Sequence, residues 1–181
     1  MSPAEAALQR GAPVTREGWL AYALAGVVVV LDQLSKFWVL EVLDLDNRIG
    51  PIEILPFFRL SMVWNKGVSF GLFSADSDVM RWLLVGFAVA VVLILAWWTA
   101  RQTRRLPALS LGLIIGGAIG NNFIDRVRFG SVADFLDFSG LWFPWVFNVA
   151  DSAITVGVAL LLFDSFFHRE EPRSKPPAGE T

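Results

Sequence analysis

The chain has 181 residues, 55% of them hydrophobic and 18% charged, with eight Trp, fifteen Phe, no Cys and a formal net charge of −2. Soluble domains run at about 45–50% apolar and about 25% charged, so this composition excludes a disordered chain and a nucleic-acid binder. The lack of Cys excludes a disulfide scaffold and a thiol nucleophile. What remains is one large core or several membrane spans.

In chain order, residues 1–18 read as a polar, Ala-rich disordered tail. Trp19 to Leu40 is apolar except for Asp32, Gln33 and Lys36. It reads as an uncleaved signal anchor, having neither the short apolar core nor the small-residue cleavage site of a secretory signal. Residues 48–64 alternate loosely through Ile52, Ile54, Leu60, Met62 and Trp64, with Pro51 and Pro56 between, which predicts one or two short strands. Ser74, Asp76, Ser77 and Asp78 look like a solvated cap before the second span. That span, Trp82 to Ala100, is nineteen residues without a charge, and Leu106 to Ile124 is nineteen more, closing on Asn121-Asn122. Leu141 to Phe163 carries one charge, Asp151, and 168–181 is a Pro-containing tail expected to be disordered. A bilayer core of about 30 Å needs about 20 apolar residues at 1.5 Å each, and each of the four runs fits.

The fold class expected is therefore an all-α polytopic membrane protein. It comprises four transmembrane helices over residues 19–167 and a small external β-like element. Basic residues set the orientation: Arg101, Arg104 and Arg105 crowd the middle connection with no acid among them, and both tails carry Arg. Both termini are expected in the cytoplasm, with about 41–80 and 125–140 external. Aromatic residues such as Phe57, Trp64, Trp142 and Trp145 suit the lipid interface.

Polar groups inside lipid are expensive, so their depth is informative. Asp32 lies thirteen residues beyond Trp19, roughly 20 Å along the first span, with Lys36 one turn further on the same face. Asn121, Asn122, Asp125 and Arg126 close the third span, while Asn148 and Asp151 open the fourth. The polar groups thus collect in one layer near the external interface. Asp32 with Lys36 reads equally as a structural ion pair, and Asp125 can pair with Arg126 or with a neighbouring span. Gly112, Gly116 and Gly120 read as a helix-packing face. Asp151 has no basic residue within a turn.

The single His, His168, lies in the cytoplasmic flank, which excludes a Ser-His-Asp triad or a His-based zinc site in that layer. A Ser-Lys dyad from Ser35 or Ser69 is poorly supported by spacing. Carboxylates remain: Asp32, Asp125, Asp134, Asp137 and Asp151. Two acids sharing a proton can activate a water and protonate a carbonyl, with no metal or cofactor required. Depth alone would pair Asp151 with Asp125. A proton-coupled transporter with Asp32 and Asp151 as relays, or a non-catalytic assembly subunit, are the rival readings.

Five blocks carry a resemblance: Asp32-Gln33-Leu34-Ser35-Lys36, Asn65-Lys66-Gly67-Val68-Ser69-Phe70-Gly71, Gly116 through Arg126, Val132-Ala133-Asp134-Phe135, and Phe147 through Ile154. In this order and spacing, over roughly residues 19–165, the chain resembles bacterial lipoprotein signal peptidase, the signal peptidase II family. The resemblance implies an inner-membrane aspartic endopeptidase whose partners are lipid-modified prolipoproteins and membrane lipids. It would cleave the signal peptide just before a diacylglyceryl-modified cysteine. It also implies Asp134 and Asp151 as the catalytic pair, in place of Asp125 and Asp151. Asn121 and Arg126 resemble positions that hold substrate backbone, and Asp32, Asn65 and Asn148 resemble polar positions around the site. Asp125 becomes a supporting element, expected to stay ionised beside Arg126. Ala133 stands where a bulkier aliphatic is common. Nothing in the sequence calls for more than a monomer.

Overall fold

The structure is a computed structural model describing residues 13–67 and 78–167. Of the expected tails, residues 1–12 and 168–181 lie outside the described residues, as do the cap residues Ser74, Asp76 and Ser77, whereas residues 16–18, expected in the amino-terminal tail, are the first turn of a helix. Four helices among them are long and apolar enough to cross a membrane. Helix α1 spans Arg16–Phe37 and runs on as a π-helical turn over Trp38–Val42. Helix α2 is Asp78–Thr99, and α3 is Arg105–Ala118 continued by a π-helical segment Ile119–Asp125. The short α4 (Arg126–Phe129) follows directly, and α5 is Val149–Phe167. The first helix begins three residues before Trp19 because Thr15 caps it, its hydroxyl accepting from the Gly18 N–H at 3.0 Å.

Helix α3 is the centre of the bundle, with nine of its fourteen residues buried, whereas α2 buries only Val85, Ala88 and Thr99. Small residues make that possible. A Cβ on Gly112 would sit 2.5 Å from the Ala21 carbonyl oxygen, one on Gly116 2.7 Å from that of Ala25, and one on Gly117 2.6 Å from Ile154 Cγ1. The glycine stripe thus grips α1, and Gly117, outside that stripe, lets α5 approach from the other side, as packing in lipid favours. Large apolar side chains point outward instead, among them Trp82, Leu93, Trp97 and Phe166. They are available to lipid.

Outside the helices is more sheet than the alternation predicted. Strands β1 (Ile52–Leu55), β2 (Phe58–Asn65), β3 (Val132–Asp137) and β4 (Val146–Phe147) form one antiparallel sheet in that order. The first two are the expected strands. The segment holding Asp134, expected only to be external, is an inner strand. Its sequence, Val-Ala-Asp-Phe-Leu-Asp, is buried at every position except Leu136, so no apolar-polar alternation marks it. Gly130, at φ +80°, ends α4 in the left-handed conformation that favours glycine and turns the chain into β3. Val39, Leu45, Leu60 and Phe135 form a buried cluster joining the π-helical end of α1 to the sheet.

Candidate active site

Polar side chains from α1, the end of α3, β2, β3 and the start of α5 meet where the sheet sits on the bundle. Lys36 is 2% exposed and Asp32 fully buried. The Lys36 Nζ donates to Asp32 Oδ2 and to Asn121 Oδ1, each at 2.7 Å, and forms an ion pair with Asp125 Oδ2 at 2.7 Å. Gln33 Nε2 bridges Asp32 Oδ2 at 3.1 Å and Asp125 Oδ1 at 3.0 Å. Asp32 Oδ1 also accepts from the Ala150 N–H at 3.1 Å, and Asp125 Oδ2 from that of Ala133 at 3.2 Å. These two acids therefore lock α1, α3, β3 and α5 together.

Asn148 caps α5. Its Oδ1 accepts from the Asp151 N–H at 2.9 Å, while Asp151 Oδ2 accepts from the Asn148 N–H at 3.2 Å, the reciprocal pattern of a capping box. The Asn148 Nδ2 donates to Asp134 Oδ1 at 2.7 Å and to Asn121 Oδ1 at 2.9 Å. One residue thus bonds both Asp134 and Asp151. Asp151 Oδ1 takes a further 2.7 Å bond from Asn121 Nδ2, and Asp134 Oδ2 one of 3.2 Å from Asn65 Nδ2. Asn65 faces this site because β2 pairs with β3, Val63 opposite Asp134 and Asn65 opposite Val132.

Burial pushes the Asp134 carboxyl up to about 7, and the neighbouring charge of Asp151 adds to the rise, against the lowering effects of Asn65, Lys36 and Asn148. The network sets four acids, Asp32, Asp125, Asp134 and Asp151, against the cations Lys36 and Arg126. A cavity of ≈ 350 Å³ lined by Phe143, Trp145, Phe147, Ser152, Thr155 and Val156 has Asp151 on its wall. An apolar groove with a carboxylate at one edge suits an apolar substrate presenting one polar bond. Among the described residues, no three His, Asp or Glu side chains converge as a metal site would require.

The family model for signal peptidase (SPase) II matches residues 24–167. The chain belongs to the signal peptidase II family. It is 56% identical over 161 residues to the lipoprotein signal peptidase of Caulobacter vibrioides, covering 89% of this chain and 95% of that one. It is 48% identical over 147 residues to the lipoprotein signal peptidase of a Methylobacterium species, covering 81% and 88%. A solved structure of a bacterial membrane enzyme superposes with a TM-score of 0.69 at 26% identity, covering 84% of this chain and 93% of that one. As a signal peptidase II it is a protease, and its four apolar helices make it a multi-pass membrane protein.

The structure brings Asp32, Asn65, Asn121, Asp125, Asp134, Asn148 and Asp151 into one bonded network. Asp125 pairs across to Lys36 of the neighbouring span, and Arg126 turns away from it. The Arg126 guanidinium reaches the Lys66 carbonyl at 3.3 Å and the Asn122 Oδ1 at 3.3 Å. Consecutive residues on a helix point about 100° apart, so adjacency in sequence did not make them partners. Asp137 stands apart from this network, accepting from Arg59 Nε at 2.6 Å and Ser61 Oγ at 2.7 Å.

Three contributors carried little sequence signal. Gln33 sits beside Asp32 as an amide within an apolar span, which is the signal that marks it. Arg81 reads as a flanking charge, yet its Nε donates to the Arg126 carbonyl at 2.6 Å and its Nη2 to that of Val127 at 2.7 Å, capping the end of α4. The N–H groups of Ala133 and Ala150 leave no trace in sequence at all, because every residue but Pro carries one.

Proposed function

We propose that the protein is an aspartic endopeptidase that removes the signal peptide from diacylglyceryl-modified prolipoproteins, cutting just before the lipidated cysteine. The observation that carries this reading is the Asn148 bridge, which bonds Asp134 through its side chain and Asp151 through its own backbone N–H. Asp134 is the proton-holding member, since burial raises its carboxyl. Asp151, the member of the pair on the wall of the aromatic groove, is the base.

In this reading Asp151 takes a proton from a water, and the water oxygen attacks the scissile carbonyl carbon while Asp134 protonates the carbonyl oxygen. The resulting gem-diol collapses by breaking the C–N bond. Asp151 returns its proton to the leaving amine, and Asp134 recovers one from the diol hydroxyl. Asn65, Asn121 and Asn148 hold the two carboxyls in place. Arg126, reaching the loop carbonyls at 66 and 67, borders the strip where substrate backbone would lie. The aromatic groove beside Asp151 offers apolar surface for the substrate next to its cut.

The same reading places the protein in the bacterial inner membrane as a monomer, with both tails cytoplasmic and the sheet external. The domain layout is a peptidase body running from the start of α1 to residue 167, between an amino-terminal and a carboxy-terminal tail. A signal helix and two acyl chains keep the scissile bond near the lipid surface, while hydrolysis needs water that the hydrocarbon excludes. A site where helix ends meet an external sheet satisfies both demands. A transporter would instead carry its acids near the midplane, whereas Asp151 lies in the first turn of α5.

Purified protein in micelles with a diacylglyceryl-modified prolipoprotein tests the reading. Asp134→Asn and Asp151→Asn should each abolish cleavage while the protein stays folded. Full activity in Asp134→Asn would sink the pair.

A further inference from the structure

The buried Lys36 ammonium has three N–H bonds and three partners: Asp32 Oδ2, Asp125 Oδ2 and Asn121 Oδ1, all at 2.7 Å. An ammonium donates and cannot accept. The Asn121 atom facing it must therefore be the carbonyl oxygen, which also accepts from Asn148 Nδ2 at 2.9 Å. That leaves the Asn121 NH2 to face Asp151, which it does at 2.7 Å. Asn148 is fixed independently, because its Oδ1 accepts a backbone N–H. Both carboxamides thus have a set polarity, and each aims N–H bonds at an acid.

We propose that Lys36 is a positioning residue: by pinning the Asn121 carbonyl it holds the Asn121 NH2 on Asp151, and so decides which acid of the Asp134–Asp151 pair carries the proton. This rests on the pair being catalytic as proposed above. Without the ammonium, only the Asn148 NH2 still holds the Asn121 oxygen, and an amide that turns over presents its oxygen to Asp151. Asp151 would then have to hold a proton to satisfy that contact, and the base would be lost. Gly120 tightens the arrangement, since a Cβ there would lie 2.6 Å from Asp32 Oδ2. The charged groups around Asp151 are Lys36 and Asp32 on α1 and Asp134 on β3; Asp125 and Arg126, where α3 meets α4, act instead on Lys36 and Asp134.

Lys36→Met alone would strand two buried carboxylates, so the informative variant is Lys36→Met with Asp125→Asn. It removes one charge of each sign and leaves the residue 125 side chain able to accept from Gln33 or Ala133. The rate of cleavage of a diacylglyceryl-modified prolipoprotein is followed against pH. The acid limb is expected to move up by about one pH unit, a tenfold loss on the acid side, with the alkaline limb in place. A merely structural role would lower the rate alike at every pH. In an Asn121→Ala background, which moves the acid limb by itself, the double substitution should add nothing. Lys36→Gln with Asp125→Asn, which can still donate to Asn121, should restore the limb. If the Met variant does not fold, Lys36→Met with Asp32→Asn and Asp125→Asn carries the same comparison. An unmoved limb, or a second displacement in the Asn121→Ala background, overturns the assignment. Full cleavage by Asp134→Asn overturns instead the pair on which it rests.

Discussion

Asp134→Asn should make the protein more stable while destroying its activity. Asp134 is 3% exposed, and its carboxyl is pushed from an ordinary 3.8 up to about 7, chiefly by burial and then by the charge of Asp151. A group raised in the folded state binds its proton more tightly there than in the unfolded chain. Stability contributed this way is fully present below about pH 4, is lost as pH rises towards 7, and stays lost above it. A gap of about three pH units corresponds to about 4 kcal/mol of lost stability above pH 7. Asparagine removes the titration. It also turns one NH2 towards a donor, either Asn65 at 3.2 Å or Asn148 at 2.7 Å, which costs about 1 kcal/mol. The variant should therefore be more stable than the parent by about 3 kcal/mol at pH 8, and slightly less stable at pH 4. Thermal unfolding of both proteins in the same micelle, from pH 4 to 8, gives the comparison. A difference independent of pH, or a parent that is the more stable at pH 8, would refute the reasoning.

Cleavage should fall as pH rises through about 7, because Asp134 then loses the proton it donates; initial rates from pH 5 to 9 check this. Gly117→Ala should destabilise by at least about 2 kcal/mol, since its Cβ meets the Ala150 carbonyl and Ile154. Gly86→Ala, where a Cβ meets nothing within 4 Å, should be neutral or stabilising by up to about 1 kcal/mol, and paired thermal melts decide both. Asp137 presents the opposite case from Asp134: burial works against its charge, but hydrogen bonds from Ser61, Ser139 and Arg59 outweigh it and hold the carboxyl well below the usual range. Asp137→Ala should cost about 2 kcal/mol at pH 7, with the deficit shrinking only in strong acid, as denaturation at pH 7 and pH 2 would reveal. Because the chain has no Cys, single cysteines report topology cleanly. Asn47→Cys should react with an impermeant maleimide added to intact spheroplasts and Gln102→Cys should not, and the reverse pattern would invert the orientation.

The spans and the polar layer were legible in the residues themselves, for a local reason. An uncharged run of nineteen residues has one cheap environment, and a polar group within such a run must find a partner wherever the run places it. Hence Asp32, Asn121, Asn148 and Asp151 were identifiable from their depth, and Asp32 with Lys36 from their spacing of four. The glycine stripe announced close packing by its own periodicity, although only the fold assigned Gly112 and Gly116 to α1 and showed that Gly117, outside the stripe, meets α5.

Which groups bond which was settled by tertiary structure. Depth favoured Asp125 as the partner of Asp151, because both lie at helix ends in one layer. In the fold, Asp125 is consumed by Lys36, Gln33 and the Ala133 N–H, and Asp134 arrives from another element. Asp134 reaches Asn148 because β3 is an inner strand, a fact set by pairing with β2 more than sixty residues earlier. Its sequence is buried on both faces and so carries no alternation to read. Periodicity and composition report what a segment needs from its surroundings. Only the pairing of distant segments decides which neighbour supplies it, and in this protein that pairing turns several acids at one depth into two distinct sets, one held by a lysine and the other bridged by a single asparagine.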